Sequence, residues 1–497
     1  MQPLLGVLLM ISTIFSANAS TALNVVVGDN GKKPFLPSSP VQSLMTIQSA
    51  VLGQLIYTES SFDLKPGLLE SYKWNYKDQS YELTLRKDLK FHNGRKVTSE
   101  DLEFSILRGF FTPNGTWFKS FFNNIEGIDT LKDKKEFKSG MVSGVKIIND
   151  NKIKVKLKRP NPSFLHSIAR TTFSLVPIEE MNSDYDSWKK HPVGCGNYKV
   201  EKVDDKNNVH LKYIGNTPSV AKEVILSPNG IKSNADIILT SPTKSNNIEL
   251  FHSKNAARVT SIYFNYKNKL AQNSNFRKAI DLLIDRNSLT KGVNAYKPTK
   301  EFLASHFWGR IEKYEGKDVE LAKRLLKSVQ GLDLTKTYNI PAYNSFFGNK
   351  VLGRYLENLE YQFKNAGLNI KFFNSDEKFI SSDDKDSLFK VLSMGADVVD
   401  PTVLFSLIRS PFKQHFPEND AKYFDLLIRA ESALSLDQRV IALKALSMHM
   451  YENRYVVPLF ERKSAIGINK TKIKSIGEQN GGIAFYLDRI TVQWANG

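Results

Sequence analysis

The sequence predicts an α/β protein with mixed sheets and more than one domain. Its 497 residues are too many for a single hydrophobic core. Hydrophobic residues make up 41% and charged residues 24%, a balance typical of a soluble globular protein rather than a disordered one. Segments with the two-residue period of a strand intermix with segments that have the 3.6-residue period of a helix. No internal repeat or low-complexity linker separates them.

The first 19 residues have the pattern of a secretory signal peptide. Residues 4–15 are apolar but too few to span a bilayer, and Ala17-Asn18-Ala19 provides small residues at the spacing that a signal peptidase recognises. The alternative, a buried N-terminal helix, is disfavoured by Pro3 and Gly6, although the usual basic residues at the start are missing. We therefore expect an exported protein whose mature chain begins near Ser20.

The single cysteine, Cys195, limits the covalent chemistry of the chain. It cannot form an intramolecular disulfide, and it lies far from the cleavage region where a lipid-anchoring cysteine would stand. No later segment approaches the roughly 20 consecutive apolar residues of a membrane-spanning helix. The expected location is a Gram-negative periplasm, and the protein is not expected to be a lipoprotein.

The formal net charge of +18 allows a second interpretation, an exported protein that binds anionic polymers or surfaces. The clearest basic run is Lys152–Arg159, in which Ile153, Val155 and Leu157 alternate with lysines. This alternation favours a strand with one solvent-facing side, where lysines discourage pairing at a sheet edge. No nucleic-acid-binding motif accompanies the run, so no nucleic acid partner is expected.

The stretch 66–104 carries the most information. Residues 81–86 alternate between apolar and polar side chains, which predicts a half-buried strand. Asn93-Gly94 suits the positive φ of a tight turn. Thr98, three residues before Asp101, places a side-chain acceptor and an acid at a helix start.

Later segments extend the alternation of helices and strands. Apolar side chains recur at helical spacing over 276–284 and again over 322–329. A further helix is expected to stop at Gly367, because glycine is common just past a helix end. A strand is expected over 369–373.

The order of the segments in 66–104 resembles the signature of the family 5 extracytoplasmic solute-binding proteins, the dipeptide and oligopeptide receptors of ABC importers. Residues 66–74 resemble its Leu-Ala-Glu-Ser-Trp-like segment, and residues 85–94 resemble its Leu-Arg-x-x-Val-x-Phe-His-x-Gly turn. Residues 97–102 resemble its Thr-x-x-Asp-Val helix start. Nearly forty ordered positions are far more specific than a short motif.

Three later segments extend the resemblance over most of residues 49–478. Residues 192–198 resemble the family's Pro-Val-Gly-Thr-Gly-Pro-Tyr turn, with Cys195 and Asn197 in place of Thr and Pro. Residues 276–286 resemble its Arg-Gln-Ala-Leu-x-x-Ala-Ile-Asp-Arg helix, and residues 456–459 resemble its Ile-Pro-Leu strand.

The resemblance implies a two-lobed periplasmic-binding-protein fold of type II, in the three-domain form of the peptide receptors. The ligand would be enclosed between the lobes. The implied divisions are a signal peptide over 1–19, domain I over 20–48, 161–258 and 479–497, domain II as an insertion over 49–160, and domain III, the second lobe, over 259–478.

The resemblance also implies candidate ligand contacts. In the family, an Asp just before an Asp-Pro pair can meet the amino terminus of a peptide, and Asp397, before Asp400-Pro401, holds that position. Met394 stands where peptide binders often have tryptophan, so it is expected to form an apolar wall or part of the core. Trp117, with Phe118 as the alternate, is the candidate aromatic lining. Asp397 as a solvated or capping acid and Trp117 as a core residue remain open.

Three residues near the expected site are predicted to be structural. Asp400 before Pro401 has the pattern of a helix N-cap. Cys195 is expected near the interlobe region as a small apolar residue. His92 is expected to make a structural hydrogen bond.

The sequence favours a peptide receptor that delivers its ligand to an inner-membrane ABC permease, acts as a monomer, and needs no cofactor, metal or catalytic residue. Three rivals remain: the same fold with a metal complex or oligosaccharide as ligand, the anion-binding surface protein, and a secreted hydrolase. The hydrolase has the weakest support, because no nucleophile or metal motif is present.

Overall fold

A computed structural model of the chain describes residues 22–27, 37, 42–58, 63–113, 119, 121–228, 234–240, 242–311, 313–342, 350–375, 385–395, 400–408, 413–479 and 485–493. The predicted signal peptide over 1–19 lies outside the described residues.

Strands and helices intermix along the described chain. The strands are β1 Ala22–Val26, β2 Ile56–Thr58, β3 Leu64–Pro66, β4 Leu69–Asn75, β5 Ser80–Leu85, β6 Val145–Asn149, β7 Lys152–Lys156, β8 Tyr198–Val203, β9 Val209–Tyr213, β10 Glu223–Ser227, β11 Ile237–Ile238, β12 Ile248–Phe264, β13 Tyr296–Pro298, β14 Tyr338–Ala342, β15 Ile370–Asn374, β16 Phe389–Gly395, β17 Val456–Asn469, β18 Ile473–Ser475 and β19 Thr491–Val492. The α-helices are α1 Gln42–Leu52, α2 Ser99–Leu107, α3 Phe164–Ile168, α4 Lys269–Gln272, α5 Ser274–Leu283, α6 Arg286–Thr290, α7 Val319–Ser328, α8 Lys350–Asn365, α9 Thr402–Leu407, α10 Ala421–Ser432 and α11 Leu436–Glu452.

The largest sheet of the described residues has nine strands and is both parallel and antiparallel. Its order is β16-β12-β17-β11-β1-β10-β9-β8, and β13 pairs with β17 off this path. A separate four-stranded sheet has the order β4-β5-β7-β6. The predicted α/β class with mixed sheets is confirmed.

Two long antiparallel strands, β12 and β17, join the two ends of the large sheet. They pair from Ile248 with Asn469 to Tyr263 with Val456. One end of this pair bonds through β11 to β1 and β8–β10, and the other end is flanked by β16 and β13. We call β1–β11, β18, β19 and their helices the first lobe, and β13–β16 with α4–α11 the second lobe.

Each lobe has its own hydrophobic cores. In the first lobe, one cluster of buried side chains surrounds β4–β7 and α2, and another surrounds β1 and β8–β10. Two clusters fill the second lobe, one against α5, α7 and α8 and the other against α9–α11. Buried side chains from residues 164–175 also belong to the β4–β7 core, although they follow the predicted end of the insertion at residue 160. The boundary at residue 160 stays a prediction.

The signature segment folds as its pattern predicts. In β5 the side chains alternate after the first two buried positions, and Gly94 has a φ of 91° in the turn that follows. The Asp101 carboxylate accepts a hydrogen bond of 2.8 Å from the Thr98 backbone N–H at the start of α2. The predicted half-buried strand, turn and helix start are confirmed.

The basic run lies in β7, with Ile153 and Val155 buried. However, β7 lies between β5 and β6, so the expectation of an edge strand is wrong. Its lysines need no edge-protecting role, because each faces an acid: the N–O distances are 3.7 Å for Lys152–Glu82, 2.8 Å for Lys154–Asp78 and 2.8 Å for Lys156–Glu126.

The later predictions of secondary structure also hold. The two apolar stripes lie in α5 and α7. Helix α8 ends at Asn365, and Gly367 follows with a φ of +85°, which explains the glycine at this helix end. The expected strand over 369–373 is β15, one residue later.

The Gly-Cys-Gly turn packs directly on the end of α1. A Cβ atom at Gly196 would lie 2.2 Å from the carbonyl oxygen of Ala50, so only glycine allows this approach. His92 ties the signature turn to the same place, because its Nε2 lies 2.9 Å from the carbonyl oxygen of Gly196. Burial lowers the pKa of His92, which favours the neutral ring, and the tautomer with its proton on Nε2 donates to this carbonyl oxygen. The predicted structural hydrogen bond is confirmed.

The substitution Gly196→Ala should lower the free energy of unfolding by about 1–3 kcal/mol, because the added methyl group overlaps the backbone of α1. Urea denaturation followed by circular dichroism measures the change. Gly316→Ala is the matched control, since no atom lies within 4 Å of its added Cβ. Equal midpoints for the two variants would contradict the packing argument.

Candidate functional site

The two lobes meet where residues 159–168 of the first lobe face α9, α10 and α11 of the second. A cavity of about 190 Å³ lies between them. Its lining is mixed, with amides and hydroxyls from both sides and one basic and one acidic side chain. The lining residues are Phe121, Asn123, Asn124, Arg159, Asn161, Ser163, Ser167, Thr402, Val403, Ser406, Phe424, Leu427, Ile428 and Glu431.

Asp400 holds the centre of this contact with a side chain that is 1% exposed. Its Oδ2 accepts a hydrogen bond of 2.5 Å from Arg439 Nη2 and one of 2.8 Å from Ser163 Oγ. Its Oδ1 accepts a hydrogen bond of 3.0 Å from the backbone N–H of Thr402. Arg439 belongs to α11 and Ser163 to the first lobe, so one carboxylate joins three separate segments.

The predicted N-cap role of Asp400 needs a correction of one residue. The residue at the cap of α9 is Pro401, which has no side-chain acceptor. Asp400 still satisfies an N–H of the first turn through Thr402, but its second oxygen is engaged with Arg439 and Ser163. The sequence pattern identified the capping contact and missed the ion pair.

The Asp400 carboxylate stays ionised at neutral pH. Burial pushes its pKa upward, but Arg439, and then His166, more than offset this and hold the pKa below its ordinary value. The His166 Nδ1 atom lies 3.6 Å from Asp400 Oδ2. A buried carboxylate that remains charged must keep its cationic partner, since an unpaired buried charge is costly.

A second ion pair crosses between the lobes closer to solvent. Arg159 Nη2 lies 2.6 Å from Glu431 Oε2, and the Arg159 side chain is 35% exposed. Glu431 also accepts a hydrogen bond of 2.6 Å from Ser406 Oγ. The backbone of Arg159 is held by the Asn124 side chain, which donates to its carbonyl oxygen at 2.8 Å and accepts from its N–H at 3.2 Å.

Met394 lies at the end of β16, opposite Val259 of β12. It is half-buried and lines, with Phe302, Phe307 and Leu404, an apolar hollow of about 10 Å³. This volume is at the lower limit for one water molecule. The described part of the hollow is therefore too small to hold a ligand side chain, and Met394 forms part of an apolar surface there.

Gly395 follows Met394 where β16 meets β12. A Cβ atom at Gly395 would lie 2.4 Å from the carbonyl oxygen of Ala257 and 2.8 Å from Cγ of Arg258. The missing side chain therefore lets Arg258 lie across the strand end. Sequence reasoning gave Arg258 no role, because nothing in its local pattern distinguishes it from other surface arginines.

Three predicted ligand contacts, Asp397, Trp117 and Phe118, lie outside the described residues, so they stay predictions. Their described neighbours define the setting. Asp397 falls between Met394, which ends a strand of the second lobe, and Asp400, which reaches the first lobe.

Cys195 has a packing role in the described structure. Its backbone N–H donates to the carbonyl oxygen of Leu52 at 3.3 Å, and its side chain packs against the β4–β7 core. Burial, reinforced by the charge of Asp101, raises the pKa of the thiol, so the reactive thiolate is suppressed. This is the small apolar residue that the sequence predicted; a place beside the ligand stays a prediction.

Sequence reasoning missed Arg159, Ser163, Glu431 and Arg439. The contacts that make these residues notable join positions 237, 272 and 276 apart along the chain. No local period or motif reports such a pair. The sequence offers one local signal, at Arg159. This charged residue stands directly before Pro160, at the end of a segment in which apolar and basic residues alternate.

Among the described residues, no group of three or more histidine, cysteine, aspartate or glutamate side chains is arranged to hold a metal ion. Within the same part of the chain, no helix combines the length and apolar character that crossing a bilayer requires.

The substitution Asp400→Asn should lower the free energy of unfolding by about 3–5 kcal/mol, because it leaves Arg439 charged and buried without a counter-ion. Urea denaturation at neutral pH measures the loss. Asp88→Asn is the control, since the Arg86–Asp88 pair is largely exposed and should leave the midpoint nearly unchanged. A loss no larger for Asp400→Asn than for the control would contradict the proposed ion pair.

The family model for bacterial extracellular solute-binding proteins, family 5 Middle, matches residues 63–213 and 221–416, which is more than half of the chain. The match includes residues on both sides of the interlobe contact, Arg159 and Ser163 in the first lobe and Asp400 in the second.

Several individual proteins are similar. The oligopeptide-binding protein OppA of Bacillus subtilis (strain 168) is 25% identical over 62% of this chain and 63% of its own length. Heme-binding protein A of Haemophilus influenzae is 25% identical over 63% of this chain and 64% of its own length. The periplasmic oligopeptide-binding protein OppA of Escherichia coli (strain K12) is 24% identical over 80% and 78%. The chain thus spans less than two thirds of the first two relatives.

Solved structures show the same fold. Haemophilus influenzae OppA in complex with the peptide RPPGFSPFR has a TM-score of 0.78 at 16% identity, covering 96% of this chain and 99% of that one. NikZ of Campylobacter jejuni in complex with Ni(L-His) has a TM-score of 0.75 at 19% identity, covering 95% and 99%. The two-lobed periplasmic-binding-protein fold is confirmed.

Proposed function

The chain belongs to the bacterial extracellular solute-binding proteins, family 5, and on this basis we propose that it is a non-catalytic receptor for a peptide-like solute. It closes its two lobes around the ligand and delivers it to an inner-membrane ABC permease. It acts as an exported monomer in the periplasm. The observation that carries the proposal is the family match across both sides of the interlobe contact.

The connection between the lobes supports a closing motion. The lobes share one sheet through β12 and β17, and the register of this pair shifts between His252 and Ala256 and again before Arg258. At the first shift, the Ser253 hydroxyl accepts a hydrogen bond of 3.0 Å from the Ser464 N–H, in place of a regular ladder bond. Irregular pairing leaves fewer backbone bonds to resist bending, so this segment is where a hinge would act.

Two observations support a peptide as the ligand. Several similar proteins are named for oligopeptides or dipeptides, including the two OppA proteins. Asp397 has the position of the family acid that meets a peptide ammonium group, and a carboxylate is the partner that a buried ammonium needs. Ligand binding would then shift the equilibrium between open and closed lobes.

A non-peptide ligand is the second candidate, and Met394 is the observation that favours it. Peptide binders of the family often have tryptophan there, and Met394 instead faces a hollow of about 10 Å³. The similar NikZ protein is described in complex with Ni(L-His). The metal candidate is accordingly a complex that carries its own ligands.

The basic run gives little support to the anion-binding alternative, which rests on the net charge of +18. The clearest basic run provides the lysines of β7, and Lys154 and Lys156 each lie 2.8 Å from an acidic oxygen. A stripe whose charges are already paired attracts an anionic polymer weakly.

Native mass spectrometry of protein purified without denaturation should show a heterogeneous set of adducts with peptide masses. The same protein, unfolded and refolded, should lack them and regain a bound mass when trialanine is added. A single discrete adduct with the mass of a metal complex or sugar would replace the peptide assignment. No adduct before refolding and no gain with trialanine, histidine-bound nickel or maltotriose would contradict the receptor proposal.

The substitution Asp397→Asn should weaken trialanine binding by about a hundredfold or more, since removing one partner of a buried charge pair costs about 3–5 kcal/mol. Isothermal titration calorimetry on the refolded protein measures the change. Asp425→Asn is the matched control, because Asp425 is an exposed acid of the same lobe paired with Arg429. Unchanged affinity in Asp397→Asn would remove Asp397 from the site.

A further inference from the structure

We propose that residues 159–163 and the second lobe form a latch that sets how firmly the lobes close, with Ser163 and Arg159 as its positioning residues. The latch comprises Arg159 and Ser163 from the first lobe and Asp400, Glu431 and Arg439 from the second. The inference rests on the proposed function, because a latch matters only if the lobes open and close.

Ser163 is the innermost part of the latch. Its hydroxyl donates to Asp400 Oδ2 at 2.8 Å and accepts from Arg439 Nη2 at 2.7 Å. A hydroxyl has one proton to donate and lone pairs to accept, so this single group satisfies both members of the ion pair. The residue is 4% exposed. Opening the lobes would remove Ser163 from both partners while Asp400 and Arg439, which lie in one lobe, stay together.

Arg159 is the outer part of the latch. Its guanidinium contacts Glu431 at 2.6 Å, and Ser406 Oγ orients the other carboxylate oxygen of Glu431. Asn124 fixes the Arg159 backbone from within the first lobe. Both ends of the pair are therefore held by their own lobe, and the ion pair forms only when the two lobes meet.

Helix α9 adds an apolar component. Val403 and Leu407 are buried and belong to the hydrophobic cluster that surrounds β4–β7 of the first lobe. The second lobe thus contributes side chains to a first-lobe core, and opening would expose them to water. Burial of these apolar side chains stabilises the latched arrangement, but the hydrophobic effect does not depend on how the groups are oriented. The hydrogen bonds and the ion pair determine the orientation of the two lobes at this contact.

The latch lies next to the predicted ligand contact. Asp397 precedes Asp400 by three residues, and Asp400 is fixed on one side by Thr402 and on the other by Ser163. A ligand that binds Asp397 would therefore act close along the chain to the carboxylate that Ser163 meets. Affinity and closure should respond together to changes in the latch.

Single-molecule energy transfer between dyes on the two lobes tests the latch. Cys195→Ser removes the native thiol, and Ile148→Cys and Ile441→Cys add labels at exposed positions, 52% and 69% exposed, in the first and second lobe. The closed fraction is measured for ligand-free protein and during titration with trialanine and with a casein hydrolysate. Circular dichroism confirms that every variant is folded.

In Ser163→Ala, the concentration of hydrolysate that closes half the molecules should rise about tenfold or more, because two hydrogen bonds to charged groups are lost. Ser167→Ala is the matched control. Ser167 lies in α3, which begins directly after Ser163, and lines the same cavity, but its hydroxyl donates to the carbonyl oxygen of Ser163 at 3.1 Å and not to the ion pair. The control should change the midpoint by less than about twofold.

The charge swap tests the outer contact. Arg159→Glu alone should raise the closing midpoint, and Arg159→Glu with Glu431→Arg should return it toward the wild-type value. Rescue by the swap would show that the two side chains meet in the closed state. An equal defect in the single and double variants would overturn the outer part of the latch.

The outcomes separate the latch from the proposed function. Equal midpoints for Ser163→Ala and Ser167→Ala with normal closure would overturn the latch and leave the receptor standing. A ligand-free closed fraction that falls in Ser163→Ala but not Ser167→Ala, without any response to peptide, would support the latch and contradict the peptide assignment. A wild-type protein that never closes under any condition would overturn both.

Discussion

The pairing of β12 with β17 is the constraint on which the rest of the structure depends. Because these two strands belong to the sheets of both lobes, each lobe can build its own cores while remaining part of one continuous sheet. The register of this pairing shifts between His252 and Ala256, between Ala256 and Arg258, and between Thr260 and Ser261. The lobes are therefore joined by a long strand pair whose ladder is interrupted between them, which suits a protein that closes around a solute. Among the described residues, the contacts of Ser163 and Arg159 with the second lobe are made by side chains.

Much of the fold was predictable because it depends on local patterns. The alternation in β5, the capped start of α2, the stripes in α5 and α7 and the glycine after α8 all follow from residues within a few positions of one another. The position of β7 within its sheet was not predictable, because an alternating basic strand has the same sequence pattern at a sheet edge and between two partner strands. Its interior place becomes visible only from its backbone pairing with β5 on one side and β6 on the other.

The site was less predictable for the same reason. Resemblance pointed to Met394 and Asp400. Met394 lines a hollow of the second lobe, and Asp400 lies in the interlobe contact, where its partners come from residues 163 and 439. Nothing in the local sequence marks Ser163 as more than a serine at a helix start. The sequence pattern at Asp400 predicted a capping contact. That prediction describes Oδ1, which accepts from the Thr402 N–H, but it gave no indication of the partners of Oδ2. A local motif reports what a side chain does for its own helix, whereas a long-range ion pair depends on how two lobes are placed.

The arrangement around Asp400 also shows how a buried charge can serve a reversible contact. An ion pair split between the lobes deep in the interface would have to be broken at each opening, and each separated buried charge would cost several kcal/mol. Here the deep pair, Asp400 with Arg439, lies wholly within the second lobe, and the group that crosses to it is a neutral hydroxyl whose bonds water can replace. The pair that does cross, Arg159 with Glu431, is less deeply buried, with side chains 35% and 14% exposed, so solvent screens it more than the Asp400–Arg439 pair. Charge that must stay paired is thus kept inside one lobe, and only contacts of modest energy cross, so closure can be both specific and reversible.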